Sequence, residues 1–139
     1  TAYLNGTVRT FDPKVQQMVI DRMKTIVAGQ ALSFGVAAEL DYEVGYPATV
    51  NDADKTRFAV AVAEEVVGAA NVQGEVGREM GAEDFAYMLQ KRPGAYLFIG
   101  QGDSAGLHQP TYDFNDEIAP VGASFFARLV ERAQPLAAK

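Results

Sequence analysis

The hydrophobic period of this chain changes between two stretches, and that change confines it to a mixed helix-and-sheet architecture. Over 36–46, Val36, Ala38, Leu40, Tyr42, Val44 and Tyr46 alternate with Ala37, Glu39, Asp41, Glu43 and Gly45. One face is apolar and the other acidic, the pattern of a strand half-covered and half in water. Over 95–99 the run Ala95-Tyr96-Leu97-Phe98-Ile99 has no polar member. A short unbroken apolar run beside a Pro-Gly turn fits a strand buried on both faces, as in an α/β sheet. The style of sheet changes near residue 48, so we place a domain boundary there, giving segments 1–47 and 48–139.

Local signals fill in the remaining elements. Residues 3–11 alternate and read as a strand. Asp12-Pro13 is a strong helix start, because the aspartate accepts from orphan amides and proline at the first position gives up no needed donor. Val15, Met18, Val19, Met23, Ile26 and Val27 then recur at helical spacing, predicting a helix over 12–28 that ends at Gly29. Strand, helix and strand up to residue 46 make a small unit, but two strands are too few for an independent sheet. Past Pro47, Asn51 or Asp52 caps a helix over 52–70, residues 71–81 form a glycine-rich loop, and a short helix covers 83–90. After the apolar run comes a long loop, 100–115. Asn115 or Asp116 then caps a last amphipathic helix carrying Ile118, Val121, Phe125, Leu129 and Val130.

Composition removes several classes of function. With 139 residues, 48% of them apolar, the chain can bury a core without staples. The net charge of −6 and the lack of a basic stripe argue against a nucleic-acid partner. No run approaches a membrane span and no signal-peptide layout is seen, so we expect no membrane association and a cytoplasmic protein. The absence of cysteine removes disulfides and thiolate chemistry. A single histidine cannot build a Cys/His metal site alone. Either no such metal is used or, as the start at Thr1 in a strand-like pattern also hints, the chain is a piece of a larger protein.

Three places could carry chemistry. The 100–115 loop follows a buried strand, where α/β proteins build their sites, and it holds His108. A lone loop histidine is more often solvated than a ligand. Gly100-Gln101-Gly102 is no phosphate cradle, since neither a helix nor a Lys-Ser/Thr pair follows. Glu83 and Asp84, after Met80-Gly81-Ala82, stand where acidic residues favour a helix dipole. Arg9 closes a strand, where arginine is commonly just a solubilising residue.

Taken together, four stretches are familiar in their order and spacing. Gly6-Thr7-Val8-Arg9-Thr10-Phe11, Tyr46-Pro47-Ala48-Thr49-Val50-Asn51-Asp52, Met80-Gly81-Ala82-Glu83-Asp84-Phe85 and Leu107-His108-Gln109-Pro110-Thr111-Tyr112-Asp113-Phe114-Asn115-Asp116 closely resemble the C-terminal third of the metal-dependent amidohydrolases. That family includes hippurate hydrolase, N-acyl-amino-acid amidohydrolases and the plant indole-acetyl-amino-acid hydrolases. The resemblance runs from Thr1 to the last helix.

The resemblance implies an α/β catalytic domain with two divalent metal ions, manganese or zinc, interrupted by a β-α-β-β-α-β lid that mediates homodimerisation. Residues 1–47 then match the second half of the lid and 48–139 the closing segment of the catalytic domain. His108 matches the last metal ligand. Arg9 matches the lid arginine that reaches the substrate carboxylate in the partner subunit's site. Gly81, Glu83 and Asp84 match a signature that shapes a wall of the site. The general base and the other ligands lie upstream, so the chain alone is expected to be inactive. The implied reaction is hydrolysis of N-acyl amino acids by a metal-activated water. Two rivals stay open: a non-catalytic dimerisation module, and a related metallopeptidase such as a dipeptidase or desuccinylase.

Overall fold

Asp12 does what its position before proline predicts. In the computed structural model, which describes residues 1–134, its carboxylate accepts from the Lys14 amide at 2.7 Å and Pro13 opens helix α1, Pro13–Phe34. The helix does not stop at Gly29. It runs on through Ala31 and Leu32 and ends at Gly35, whose φ of 63° is left-handed. The Val36 amide reaches back to the Ala31 carbonyl at 3.0 Å and the Gly35 amide to Leu32 at 3.3 Å, the paired bonds of a Schellman cap. An interior glycine weakens a helix by about 1 kcal/mol. Strong helix formers on both sides of Gly29 outweigh that, and the Ser33 hydroxyl adds a bond to the Gly29 carbonyl at 2.8 Å.

Helix α2, Ala53–Val67, is capped by Asp52 rather than Asn51, with the carboxylate accepting from the Lys55 amide at 2.9 Å. It is shorter than the expected 52–70, because Gly68 turns out of the helix at φ 83° and a single 3₁₀ turn, Ala69–Asn71, follows. Helix α3 spans Phe85–Leu89. A 3₁₀ turn at Asp116–Ile118, capped by the Asn115 side chain on the Glu117 amide at 3.0 Å, leads into α4, Ala119–Ala133. No helix among the described residues is long and apolar enough to cross a membrane.

The strands expected at 3–11, 36–46 and 95–99 are not formed among the described residues. A strand exists only through a hydrogen-bonded neighbour. The backbone of 3–11 has no backbone partner there, and the start of the apolar run is held by residues 51 and 52. The Asp52 amide donates to Gly94 at 2.9 Å, and the Asn51 side chain pairs with both backbone groups of Tyr96. Tyr96 and Phe98 share one face of the run, with their rings edge to face at 5.3 Å. Nor is the run buried on both faces, since Phe98 is 70% exposed. The α/β class is therefore realised here in its helices alone.

The chain divides into two compact units. The first is Thr1–Val50 with Arg78–Gln90; the second is Asn51–Gly77 with the chain from Lys91 onward. In the second unit α2 packs on α4, burying Ala59 and Val62. Beside that seam Glu65 takes Arg128 at 2.7 Å and Arg132 at 3.3 Å, and the bond to Glu65 holds the Arg128 proton more firmly than usual. In the first unit Ile20 of α1 and Ala86 of α3 are buried. The core goes little further. The accessible surface is 11754 Å², whereas a folded monomer of this length exposes about 7,000 Å² and even two separate half-size bodies about 8,500 Å². Leu4, Leu32, Phe34 and Phe98 are among the large apolar side chains left in water.

Candidate functional site

The loop that carries His108 is a closed structure held by one glutamine. The Gln101 side chain donates to Ser104 Oγ at 2.7 Å and to the Asp113 carbonyl at 3.3 Å. Its oxygen accepts from the Tyr112 hydroxyl at 3.2 Å and the Asn115 amide at 3.3 Å. Asn115 returns the contact, donating from Nδ2 to the Gln101 carbonyl at 3.1 Å. The two ends of the loop are thereby joined through side chains instead of a sheet.

Two turns follow one another inside this clasp. The Gln109 amide donates to Gly106 at 3.2 Å, and the Tyr112 amide to Gln109 at 3.0 Å. His108 occupies the third position of the first turn with φ 65°, the one non-glycine residue with positive φ among those described. That position of a type II turn normally takes glycine or asparagine. A side chain there costs on the order of 1–2 kcal/mol. Strain of this kind collects where a side chain must be presented in a fixed direction. The imidazole is exposed and makes no hydrogen bond among the described residues.

These features fit a metal ligand, since an imidazole with both ring nitrogens uncommitted offers a lone pair to an ion. They do not amount to a site. No group of three or more His, Asp or Glu among the described residues could hold a metal ion.

The first unit brings together two of the stretches singled out above. Arg9 Nη1 donates to the Met80 carbonyl, and the Arg78 guanidinium lies 5.6 Å above the Phe11 ring. Arg9 therefore lies against the Met80-to-Phe85 stretch, with its guanidinium exposed. Glu83 and Asp84 stand just before α3, their carbonyls accepting from the Ala86 amide at 3.2 Å and the Tyr87 amide at 3.0 Å. Neither carboxylate is in an ion pair among the described residues, and Asp84 does not cap the helix through its side chain. Both precede the first turn instead of standing in it, still at the positive end of a helix only five residues long. A Cβ at Gly81 would meet nothing within 4 Å, so no close approach demands glycine there. Helix α3 is held by an edge-to-face contact between Tyr46 and Tyr87 at 5.9 Å, with the Tyr87 hydroxyl 3.4 Å from the Gly45 carbonyl. His108 belongs to the other unit.

Gln101 and the pairing role of Asn115 are the features that sequence reading passed over. A long polar side chain between two glycines, at the mouth of a loop, was the available signal.

The sequence model of the peptidase family M20/M25/M40 matches residues 4–132, nearly the whole chain, and takes in Arg9, the Met80-to-Phe85 stretch and the His108 loop. The chain belongs to that family. Among its M20 relatives, it is 30% identical to an N-acetylcysteine deacetylase of Bacillus subtilis over 128 residues, 92% of this chain and 33% of that protein. It is 27% identical to a hippurate hydrolase of Campylobacter jejuni, covering 92% of this chain and 33% of that enzyme. A third relative is the IAA-amino acid hydrolase ILR1-like 4 of Arabidopsis thaliana, 30% identical over 93% of this chain and 31% of that protein. The M20 chain thus spans about a third of the length of the curated relatives it matches. No solved structure matches it significantly.

Proposed function

We propose that this chain is the closing third of a metal-dependent amidohydrolase that cleaves N-acyl amino acids of the hippurate type, with His108 as a metal ligand and Arg9 as the group that holds the substrate carboxylate. The observation that carries this reading is the His108 turn, a strained, clasped backbone presenting an imidazole that has nothing to bind within the described chain. The large exposed apolar surface supports the companion claim that the chain docks on further protein. In this reading residues 1–47 are the second half of a lid that pairs two subunits, and 48–139 complete the catalytic domain. The stretches 3–11, 36–46 and 95–99 become strands when neighbours from the rest of the enzyme pair with them.

Two divalent ions, manganese or zinc, would supply an activated water and a polarised scissile carbonyl. This chain's own contribution is narrower. His108 would hold one ion through its imidazole. Arg9 would exchange the single Met80 carbonyl for the substrate carboxylate, which adds an opposite charge and a second acceptor that the guanidinium fork can take bidentately. Gly81, Glu83 and Asp84 flank that arginine's resting place and wall the site. The general base is not among the residues described above. The products are a carboxylic acid and a free amino acid.

The test is release of glycine from N-benzoylglycine by the full-length protein containing this chain, loaded with manganese or zinc. Turnover that is lost in His108→Ala supports the reading. An intact, metal-loaded enzyme that hydrolyses no N-acyl amino acid, or a His108→Ala variant with undiminished turnover, refutes it.

A further inference from the structure

Gln101 binds both ends of the loop that presents His108 and the last residue of its second turn, without touching the imidazole or the turn that holds it. Through Tyr112 it holds the second turn, whose Gln109 carbonyl accepts the Tyr112 amide, and Gln109 in turn closes the first turn on Gly106 around His108. Through Asp113 and Asn115 it fixes the far end of the loop, and through Ser104 the near end. His108 lies midway between Gln101 and Asn115. The orientation of the carboxamide is settled by its partners: the Asp113 carbonyl can only accept and the Asn115 amide can only donate, so a flipped group would set like against like on both sides.

We infer that Gln101 is the positioning residue of this loop, holding the left-handed His108 turn in the conformation that binds metal. The inference rests on the proposed ligand role of His108. A turn with positive φ at a side-chain-bearing residue relaxes when its surroundings stop dictating it. Removing the carboxamide takes away four of the five bonds at Gln101, those to Ser104, Tyr112, Asp113 and the Asn115 amide, and leaves the loop ends joined only by the Asn115 side chain on the Gln101 backbone carbonyl. The imidazole would then spend most of its time out of register with the other ligands. Outer groups that orient a metal ligand are typically worth about 10- to 100-fold in metal affinity.

Cobalt(II) titrated into the metal-free full-length enzyme, followed by its visible absorption, reads this without using turnover, alongside the melting temperature of the metal-free protein. Gln101→Leu is expected to weaken cobalt binding at the His108-dependent site by about tenfold or more and to change the absorption band. Its metal-free melting temperature should stay close to wild type. Gln101→Glu keeps the acceptor for Tyr112 and Asn115 and should recover part of the loss. Tyr112→Phe, which removes one bond and carries little risk to folding, should lose affinity in the same direction. If His108→Ala binds cobalt like wild type, the ligand reading itself fails. If His108→Ala loses the site while Gln101→Leu and Tyr112→Phe bind normally, the ligand reading stands and Gln101 has no positioning role. Affinity losses that merely follow a lowered metal-free melting temperature, equally in Gln101→Leu and Gln101→Glu, also overturn the inference.

Discussion

The Asn51 carboxamide pairs with the backbone of Tyr96 in both directions, donating to its carbonyl at 2.9 Å and accepting from its amide at 2.8 Å. A side chain thus plays the part of a neighbouring strand for the first residues of the apolar run. Asn51→Ala hands these two exposed bonds over to water. We expect a loss of about 1 kcal/mol or less in urea unfolding, and a comparable loss for Asn51→Asp, which keeps the acceptor and removes the donor. An unchanged midpoint in both variants would show that the pair contributes nothing.

His108 carries a strain that glycine would not. Comparing His108→Gly with His108→Ala isolates it, since both lose the imidazole and just one suits φ 65°. The glycine variant should be the more stable of the two by on the order of 1 kcal/mol. Equal stability, or an alanine advantage, would mean that the left-handed turn is not maintained in solution.

Leu32 and Phe34, at the end of α1, are 86% and 76% exposed. In the 139-residue chain, Leu32→Ser and Phe34→Ser should leave thermal stability nearly unchanged and reduce self-association in sedimentation. In the full-length protein the same changes should destabilise by about 2 kcal/mol each if further protein covers them. Neutrality in both settings would place these side chains on a true outer surface.

Arg9 tests the substrate side. Arg9→Ala in the full-length enzyme should raise KM for N-benzoylglycine by about 10- to 100-fold with a smaller change in kcat, the range expected for lost charge-assisted bonds. Arg9→Lys should recover little, because an ammonium lacks the two-pronged geometry. A KM that does not move in either variant removes the carboxylate role.

Short-range chemistry was legible in the sequence, and long-range pairing was not. The start of α1 could be read from Asp12-Pro13 and that of α2, to within one residue, from Asn51-Asp52, because a cap depends on residues within one turn of itself. The end of α1 was misplaced because Gly29 and Gly35 look alike in a sequence, while just Gly35 has a following residue whose amide closes the Schellman bond. The strands at 3–11, 36–46 and 95–99 follow from alternation and apolar runs, but alternation specifies a face, not a neighbour. In the candidate site His108 could be singled out and its left-handed turn could not. Gln101 was hidden because its five bonds reach residues up to 14 positions away.

If this chain supplies an amidohydrolase with one metal ligand and not the whole catalytic apparatus, it is inactive without the rest of the enzyme. Glycine release from N-benzoylglycine, with added manganese or zinc, tests it by comparing the 139-residue chain alone with the full-length protein that contains it. Turnover by the full-length protein and none by the chain is the expected result. Metal-dependent turnover by the 139-residue chain alone would contradict it.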